Sequence, residues 1–353
     1  MTFIKRHKIL TSVFIMILSF AVLISGTAYY FLGKINITDE NTPAVPAVTL
    51  PNSSDGEDEI FPDSENLTGE EKKTIIKANK DIKENLDDNR IWQSDQIINI
   101  LLLGVDYGTE TLKYGRSDAM MVLSLNKAIQ KIKIISISRN VYSSIPGFKN
   151  SMISHAHAFG GPALAIKTVE QNYKIGIDNY VSCSFDSFVK IIDVLGGVDI
   201  NLTEREKEAL NESGSNFVSA GKNSLDGETA LRYARLRWID SDKERTGRQR
   251  NILMALAEKF KGITAEKAFE LLNTVLPLIN TDMKKSEILY QLATAVKYLS
   301  WDIQQYYIPD KSYERVIRND FYVNILDWPY EVSYAHSLIF EGVTPDYKEL
   351  KNE

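Results

Sequence analysis

The sequence predicts an α/β protein: an α-β-α domain with a central mixed sheet, preceded by one transmembrane helix and a disordered linker. Three observations predict this. From Gln96 onward, short apolar runs of strand length interleave with longer helical stretches. Residues Ile9–Gly33 carry no charged side chain, and a helix of about 20 residues is enough to cross a bilayer core. Between these regions, Asp39–Glu71 holds ten acidic residues, no lysine or arginine, and Pro43, Pro46, Pro51 and Pro62.

The elements follow in chain order. Lys5, Arg6, His7 and Lys8 mark residues 1–8 as a cytoplasmic stub, because basic residues favour the cytoplasmic side. Residues 9–33 form the anchor, with Tyr29, Tyr30 and Phe31 at the outer interface. A cleaved signal peptide is the competing reading; its apolar core is shorter, and Ser25-Gly26-Thr27-Ala28 is a poor cleavage site. Either way the remainder lies outside the cytoplasm, in the anchored case as a single-pass protein of the cell membrane. Residues 34–95 bury too little apolar surface to offset their ordering entropy and read as an acidic spacer, with a loose charged helix over Lys72–Asn89.

The folded domain is expected over residues 96–345. Ile97–Gly104, Ala119–Leu125 and Lys131–Ile137 read as strands. Only Asn126–Gln130 separates the last two, so they form a hairpin, and the first two are neighbours. Helices are expected at Pro162–Tyr173, Ser187–Leu195, Asp226–Leu236, Thr246–Phe260, Glu266–Leu278, Ser286–Leu299 and Trp328–Phe340. Strands are expected at Tyr180–Ser184, Val198–Leu202 and Ile303–Ile308.

Composition narrows the function. A net charge of −6 exerts no general pull on nucleic acid, and no helix-turn-helix or basic face is evident. The lone Cys183 excludes an intramolecular disulfide and reads as a small core residue. One cysteine and four histidines argue against structural zinc.

Two features carry chemistry. Asp106 ends the first strand and Asp118 opens the second, so antiparallel pairing brings them together. Two close carboxylates repel, and a cation such as Mg2+, which keeps waters and phosphate oxygens as its other ligands, stabilises them. Aspartate is also a common turn former, which is the simpler reading of either residue alone. The second feature is the run Arg232, Arg235, Arg237, Arg245, Arg248 and Arg250. Arg245, Arg248 and Gln249 open a helix and can project from one face toward an anion. Cations there oppose the helix dipole, and a guanidinium fork suits phosphate. The alternative is a solvated face paired with Asp240, Asp242 and Glu244. Arg139, ending the third strand, adds weight to a pyrophosphate–Mg2+ pocket.

With these residues in view, the sequence resembles the LytR-CpsA-Psr family of bacterial cell-wall enzymes. The stretches that carry the resemblance are NILLLGVDYG, GRSDAMMVLSLN, IKIISISRNVY, ISHAHAFGGP, LGGVDINL, LDGETALRYARLR and the D-x-x-R-x-x-R-Q segment Asp242–Gln249. They span most of Asn99–Phe260. The resemblance implies a phosphotransferase that moves a glycopolymer, such as wall teichoic acid or capsular polysaccharide, from a polyprenyl-pyrophosphate carrier onto peptidoglycan. It implies Mg2+ at Asp106 and Asp118, and pyrophosphate contacts from Arg116, Arg139, Arg235, Arg237, Arg245 and Gln249. Asp118, Arg139, Arg235 and Arg237 are then the catalytic set, Arg248 is either a ligand or structural, and the domain interior houses the polyprenyl tail.

The sequence also departs from the family pattern. The usual S-I-P-R-D stands here as Ser136-Ile137-Ser138-Arg139-Asn140, and the usual Asn-His-Ala-Tyr as Ser154-His155-Ala156-His157. Asn140 brings no charge beside Arg139. Asp118 or His155 is expected to assist deprotonation of the acceptor, although His155 reads equally well as a packed structural residue. Three other functions share these residues: a lipid-pyrophosphate hydrolase, a polymer-tethering module, and a non-enzymatic regulator of the attenuator type.

Overall fold

The computed structural model describes residues 36–37, 68–106, 114–214, 217–261, 274–298, 300–311, 314–318 and 321–350. The anchor at 9–33 and most of the acidic spacer lie outside the described residues. Among the described residues no helix is long and apolar enough to cross a membrane.

The central sheet consists of β1 (Asn36–Ile37), β2 (Ile97–Val105), β3 (Ser117–Asn126), β4 (Lys131–Ile137), β5 (Asn179–Ser184), β6 (Ile279–Thr281) and β7 (Asp302–Ile308), in the order β1-β6-β5-β2-β3-β4-β7. Six strands form the body, and the two-residue β1 adds an edge. The sheet is mixed: β2, β3 and β4 run antiparallel to their neighbours in turn, whereas β5 joins β2 and β7 joins β4 in parallel. The expected hairpin is present, with Met121 opposite Ser136 and Asn126 opposite Lys131.

Alternation along β2 explains its central place. Ile97, Leu101 and Leu103 enter one core, while Ile98, Ile100 and Leu102 pack toward the other. Both faces are therefore covered, which is why the run reads as continuously apolar. On the first side pack α1 (Gly69–Asp87), α2 (His155–Tyr173) and α8 (Trp328–Ile339), through Ile82, Tyr173 and Trp328 among others. On the second, α7 (Lys285–Tyr298) contributes Ile288, joined by Leu276 and Trp301. A satellite core forms from α3 (Phe185–Val194), α4 (Glu204–Glu212), α5 (Gly227–Arg235), α6 (Asp242–Lys261) and the ribbon Val198–Leu202/Gly221–Leu225.

The packed body reaches back to Gly69, into the stretch read as linker. Thr68 and Glu71 form a capping box, and Ile75, Ala78 and Ile82 recur at helical spacing on the buried face of α1. The strand Arg90–Gln93 pairs with Asp346–Glu349, just past the expected end at 345. Helix α2 begins at His155, before Pro162. Its course is interrupted at Gly160 and Gly161, and the left-handed Gly161 (φ 67°) makes Pro162 the opening of a second helical segment, where its missing N–H costs nothing. Of the helix expected at Glu266–Leu278, residues 262–273 lie outside the described residues and Leu276–Leu278 form a 3-10 turn. Neither α4 nor the hairpin Glu314–Arg318/Phe321–Ile325 is signalled by the pattern read above.

Candidate active site

The site forms where β2 ends and β3 begins. The Asp106 N–H donates to the Arg116 carbonyl at 3.0 Å and closes the turn. Gly115 is required there, because a Cβ would collide with the Asp106 carbonyl and Oδ1. Across the pair the register jumps from Gly104 opposite Ala119 to Val105 opposite Ser117. Asp118 is thus the extra residue of a β-bulge, a device that re-aims a side chain out of the strand's alternation.

Asp118 is the hub of an arginine cluster. Its Oδ1 accepts from Arg139 Nη1 at 2.5 Å and its Oδ2 from Arg237 Nη2 at 3.3 Å, while its backbone carbonyl accepts from Arg245 Nη1 at 3.0 Å. Burial opposes charge on Asp118, but Arg139, Arg237 and Arg245 outweigh it and hold the carboxyl below its ordinary range. So held, it is a weak proton acceptor, and both of its oxygens are turned toward arginines. Asp106 is shifted the other way. Burial and the Asp118 carboxylate push it up, only partly offset by Arg116 and Arg235. Among the described residues its Oδ1 is buried with no hydrogen-bond partner, and Arg116 Nε stands 3.8 Å from Oδ2.

The arginines are crowded. Burial and the like charges of Arg139, Arg245 and Arg235 bring Arg237 down to about 10, so it stays protonated. Arg235 lies with its guanidinium 4.6 Å from the Phe185 ring centroid, an ordering contact that leaves the fork open to an anion. Among the described residues Arg139 Nε is buried without an acceptor. Among the described residues, Arg116, Arg139, Arg235, Arg237 and Arg245 face three carboxylates, Asp106, Asp118 and Asp242. The cluster carries excess positive charge and, among the described residues, one unpaired donor at Arg139 Nε, which is the condition an anionic ligand relieves.

Arg245, Arg248 and Gln249 do not project together. Arg245 directs Nε and Nη2 to Asp242 Oδ1, at 3.0 and 2.7 Å, and Nη1 to Asp118; it braces the site from below. Arg248 grips both oxygens of Asp240 at 2.6 and 2.7 Å and the Leu236 carbonyl at 2.7 Å, and lies 3.5 Å from Glu206. Its role is structural. Gln249 donates to the Ala234 carbonyl at 3.4 Å, while its Oε1 is buried without a partner among the described residues. The pairing with Asp240 and Asp242 weighed as a solvated face is real, but it is buried.

A polar network absent from the sequence reading supports Asp242. Ser138 Oγ donates to Asp242 Oδ2 at 3.0 Å, Tyr307 OH does so at 3.4 Å, and Asn324 Nδ2 donates to Ser138 Oγ at 3.1 Å. Asp242 lies three residues before Arg245, a spacing that signals an ion pair on a helix; Asn324 sits in the unforeseen hairpin, where no signal existed. The Asn140 carbonyl accepts from the Asn324 N–H at 2.8 Å. Arg139 is not deprived of acid by Asn140, because Asp118 bonds it and its charge reaches Asp242. His155 is pushed down to about 4 by burial, Arg116 and Arg139, and its Nδ1 meets Ser151 Oγ at 2.9 Å. His157 Nδ1 bonds the Gly115 carbonyl at 2.6 Å and buttresses the Asp106 turn.

Comparison with known proteins decides the kinship. The LytR_cpsA_psr family profile matches residues 61–330. The chain belongs to the LytR-CpsA-Psr family. Within the family it is 36% identical over 211 residues to the polyisoprenyl-teichoic acid–peptidoglycan teichoic acid transferase TagU of Oceanobacillus iheyensis, covering 57% of this chain and 63% of that protein. It is 34% identical over 178 residues to TagT of Bacillus subtilis, covering 49% and 55% of the two chains. The matches therefore span less than two thirds of these relatives. The fold is similar to a solved structure of TagT bound to LIIa-WTA, with a TM-score of 0.58 and 25% identity, covering 69% of this chain and 90% of that one. The matched stretches that carry Arg139, Arg237 and Arg245 meet at the Asp118 bulge, whereas LGGVDINL packs in the satellite core.

Proposed function

We propose that this chain is a membrane-anchored, extracytoplasmic phosphotransferase that moves a glycopolymer from a polyprenyl-pyrophosphate carrier onto peptidoglycan. The observation that carries the reading is the excess of arginine around Asp118, with Arg235 exposed at the end of α5, Arg237 exposed just after it, and Arg139 Nε unpaired among the described residues. The names of TagU and TagT, and the WTA ligand in the TagT structure, support this substrate class.

The donors fit a hard cation. Asp106 and Asp118 sense one another's charge, and the orphaned Asp106 Oδ1 is an oxygen a cation would satisfy. These two residues would hold Mg2+, which neutralises charge on phosphate oxygens when bound. Arg139, Arg235 and Arg237 bind the pyrophosphate and stabilise charge that develops on its bridging and leaving oxygens. An acceptor hydroxyl forms a new P–O bond to the glycan-linked phosphorus, and the bond from that phosphorus to the bridging oxygen breaks. Polyprenyl phosphate leaves, and the hydroxyl proton passes out of the site. Positioning and electrostatics dominate such transfers, so little is asked of a base. Asp118, Arg245 and Asp242 keep the arginines aligned.

Arg235→Ala tests the reading. No carboxylate pairs with Arg235 among the described residues, so melting should stay within about 0.5 kcal/mol of the parent. Transfer should fall by roughly 100-fold, as for loss of one charge-assisted donor to the reacting phosphate. Unchanged transfer refutes the pocket.

A further inference from the structure

We propose that Trp238 is the platform on which the sugar joined to the pyrophosphate stacks, an inference that rests on the transferase reading above. Trp238 follows Arg237 in the loop between α5 and α6 and is 78% exposed. Trp301 and Trp328 are buried and Trp92 is half-buried, so Trp238 is the outlier among the four tryptophans. Its exposure is imposed by the loop. Leu236 and Ile239, on either side, are buried in the satellite core. Arg248 clamps the Leu236 carbonyl and the Asp240 carboxylate, fixing both ends of the loop. A ring held in water by a pinned backbone is presented for contact.

The place of Trp238 in the chain names the occupant. Arg237 reaches Asp118 Oδ2 at 3.3 Å, so Trp238 sits one residue from the phosphate cradle. In the donor, a sugar is bonded directly to the pyrophosphate and lies within one ring's width of it. The C–H face of a pyranose is apolar with slightly positive hydrogens, which suits the negative face of an indole. Arg237 on the same loop can donate to sugar hydroxyls. A membrane contact fits less well. Its exposed neighbours in sequence, Arg235, Arg237, Ser241, Lys243 and Glu244, are polar or charged and include no second large apolar side chain, whereas insertion needs an apolar face.

The test uses the full chain in nanodiscs, with two probes: polyprenyl pyrophosphate and the same lipid bearing one N-acetylhexosamine. Trp238→Ala should melt as the parent does, bind the bare lipid unchanged, and bind the sugar-bearing lipid roughly tenfold more weakly. Trp238→Tyr should recover most of the loss. Iodide quenching, taken as the difference between parent and Trp238→Phe, should show the ring shielded by the sugar-bearing lipid only. Equal weakening for both lipids, no weakening, shielding by empty nanodiscs, or an effect confined to the KM of the peptidoglycan acceptor each overturns the proposal. If the parent fails to bind the bare lipid, the transferase reading itself falls and this inference falls with it.

Discussion

Asp106→Asn should stabilise the metal-free protein while abolishing its response to Mg2+. The substitution removes charge from a carboxylate whose Oδ1 is buried without a partner. The amide keeps a polar atom in that place, so what is relieved is the cost of a half-buried charge facing the Asp118 carboxylate. Two like charges a few ångströms apart cost about 1 kcal/mol in water and several times that where water is excluded. The Asp106 side chain is 23% exposed and Arg116 stands near its other oxygen, so the low end applies, about 1 kcal/mol. For a domain of this size that is about 2–4 °C in Tm. Mg2+ at ten times its Kd should stabilise the parent by about 1.4 kcal/mol and the variant not at all. The pH dependence follows from the raised Asp106 carboxyl. Its favourable contribution is present below the ordinary value of 3.8 and is lost as pH rises through the folded value, so the advantage of Asn should open as pH rises. Asp118 runs the other way: its contribution is present above 3.8 and is lost as pH falls through its lowered value. Thermal melting in EDTA and in Mg2+ reads all of this. A variant that melts below the parent in EDTA, or that gains as much from Mg2+, refutes the cation site.

Three further outcomes are expected. Arg248→Ala should cost about 3–5 kcal/mol in denaturant melting, because it strands Asp240 and Glu206 near a buried core; a change below 1 kcal/mol would contradict a structural role. Ser138→Ala removes the hydroxyl between Asn324 and Asp242 and should cost about 1–2 kcal/mol and lower kcat severalfold without raising donor KM; a pure KM effect would place Ser138 against substrate instead. His155, held near 4 by burial and two arginines, should be neutral throughout physiological pH. A pH–rate inflection near 6.5 that vanishes in His155→Gln would show it titrating as the base.

What could be read in advance follows from the physics of each part. Strands β2, β3 and β4 were legible because a buried strand leaves a short apolar run, and the five-residue gap Asn126–Gln130 leaves room only for a hairpin. The acidic Asp106–Asp118 pairing was legible once those strands were neighbours. The bulge that aims Asp118 was not, since a one-residue register jump leaves no compositional trace. Helix α1 is hard to see in the sequence because its mean polarity hides a narrow stripe of Ile75, Ala78 and Ile82. The arginine run marked the site, yet spacing alone could not divide it. Burial separates the braces Arg245 and Arg248 from the exposed Arg235 and Arg237, and burial depends on what packs from elsewhere in the chain. Tyr307 reaches Asp242 directly and Asn324 reaches it through Ser138, both across distant sequence, which no local pattern encodes.

The central claim is that the cluster around Asp118 transfers glycan to peptidoglycan. The direct measurement is a reconstituted reaction of the full chain in nanodiscs with Mg2+, a polyprenyl-pyrophosphate-linked glycopolymer labelled in both lipid and sugar, and peptidoglycan fragments. The account predicts sugar label joined to peptidoglycan through a phosphodiester, with one polyprenyl phosphate released per chain transferred, and neither product with Arg235→Ala. Sugar label released as free phosphorylated polymer at the same rate with or without peptidoglycan would contradict it.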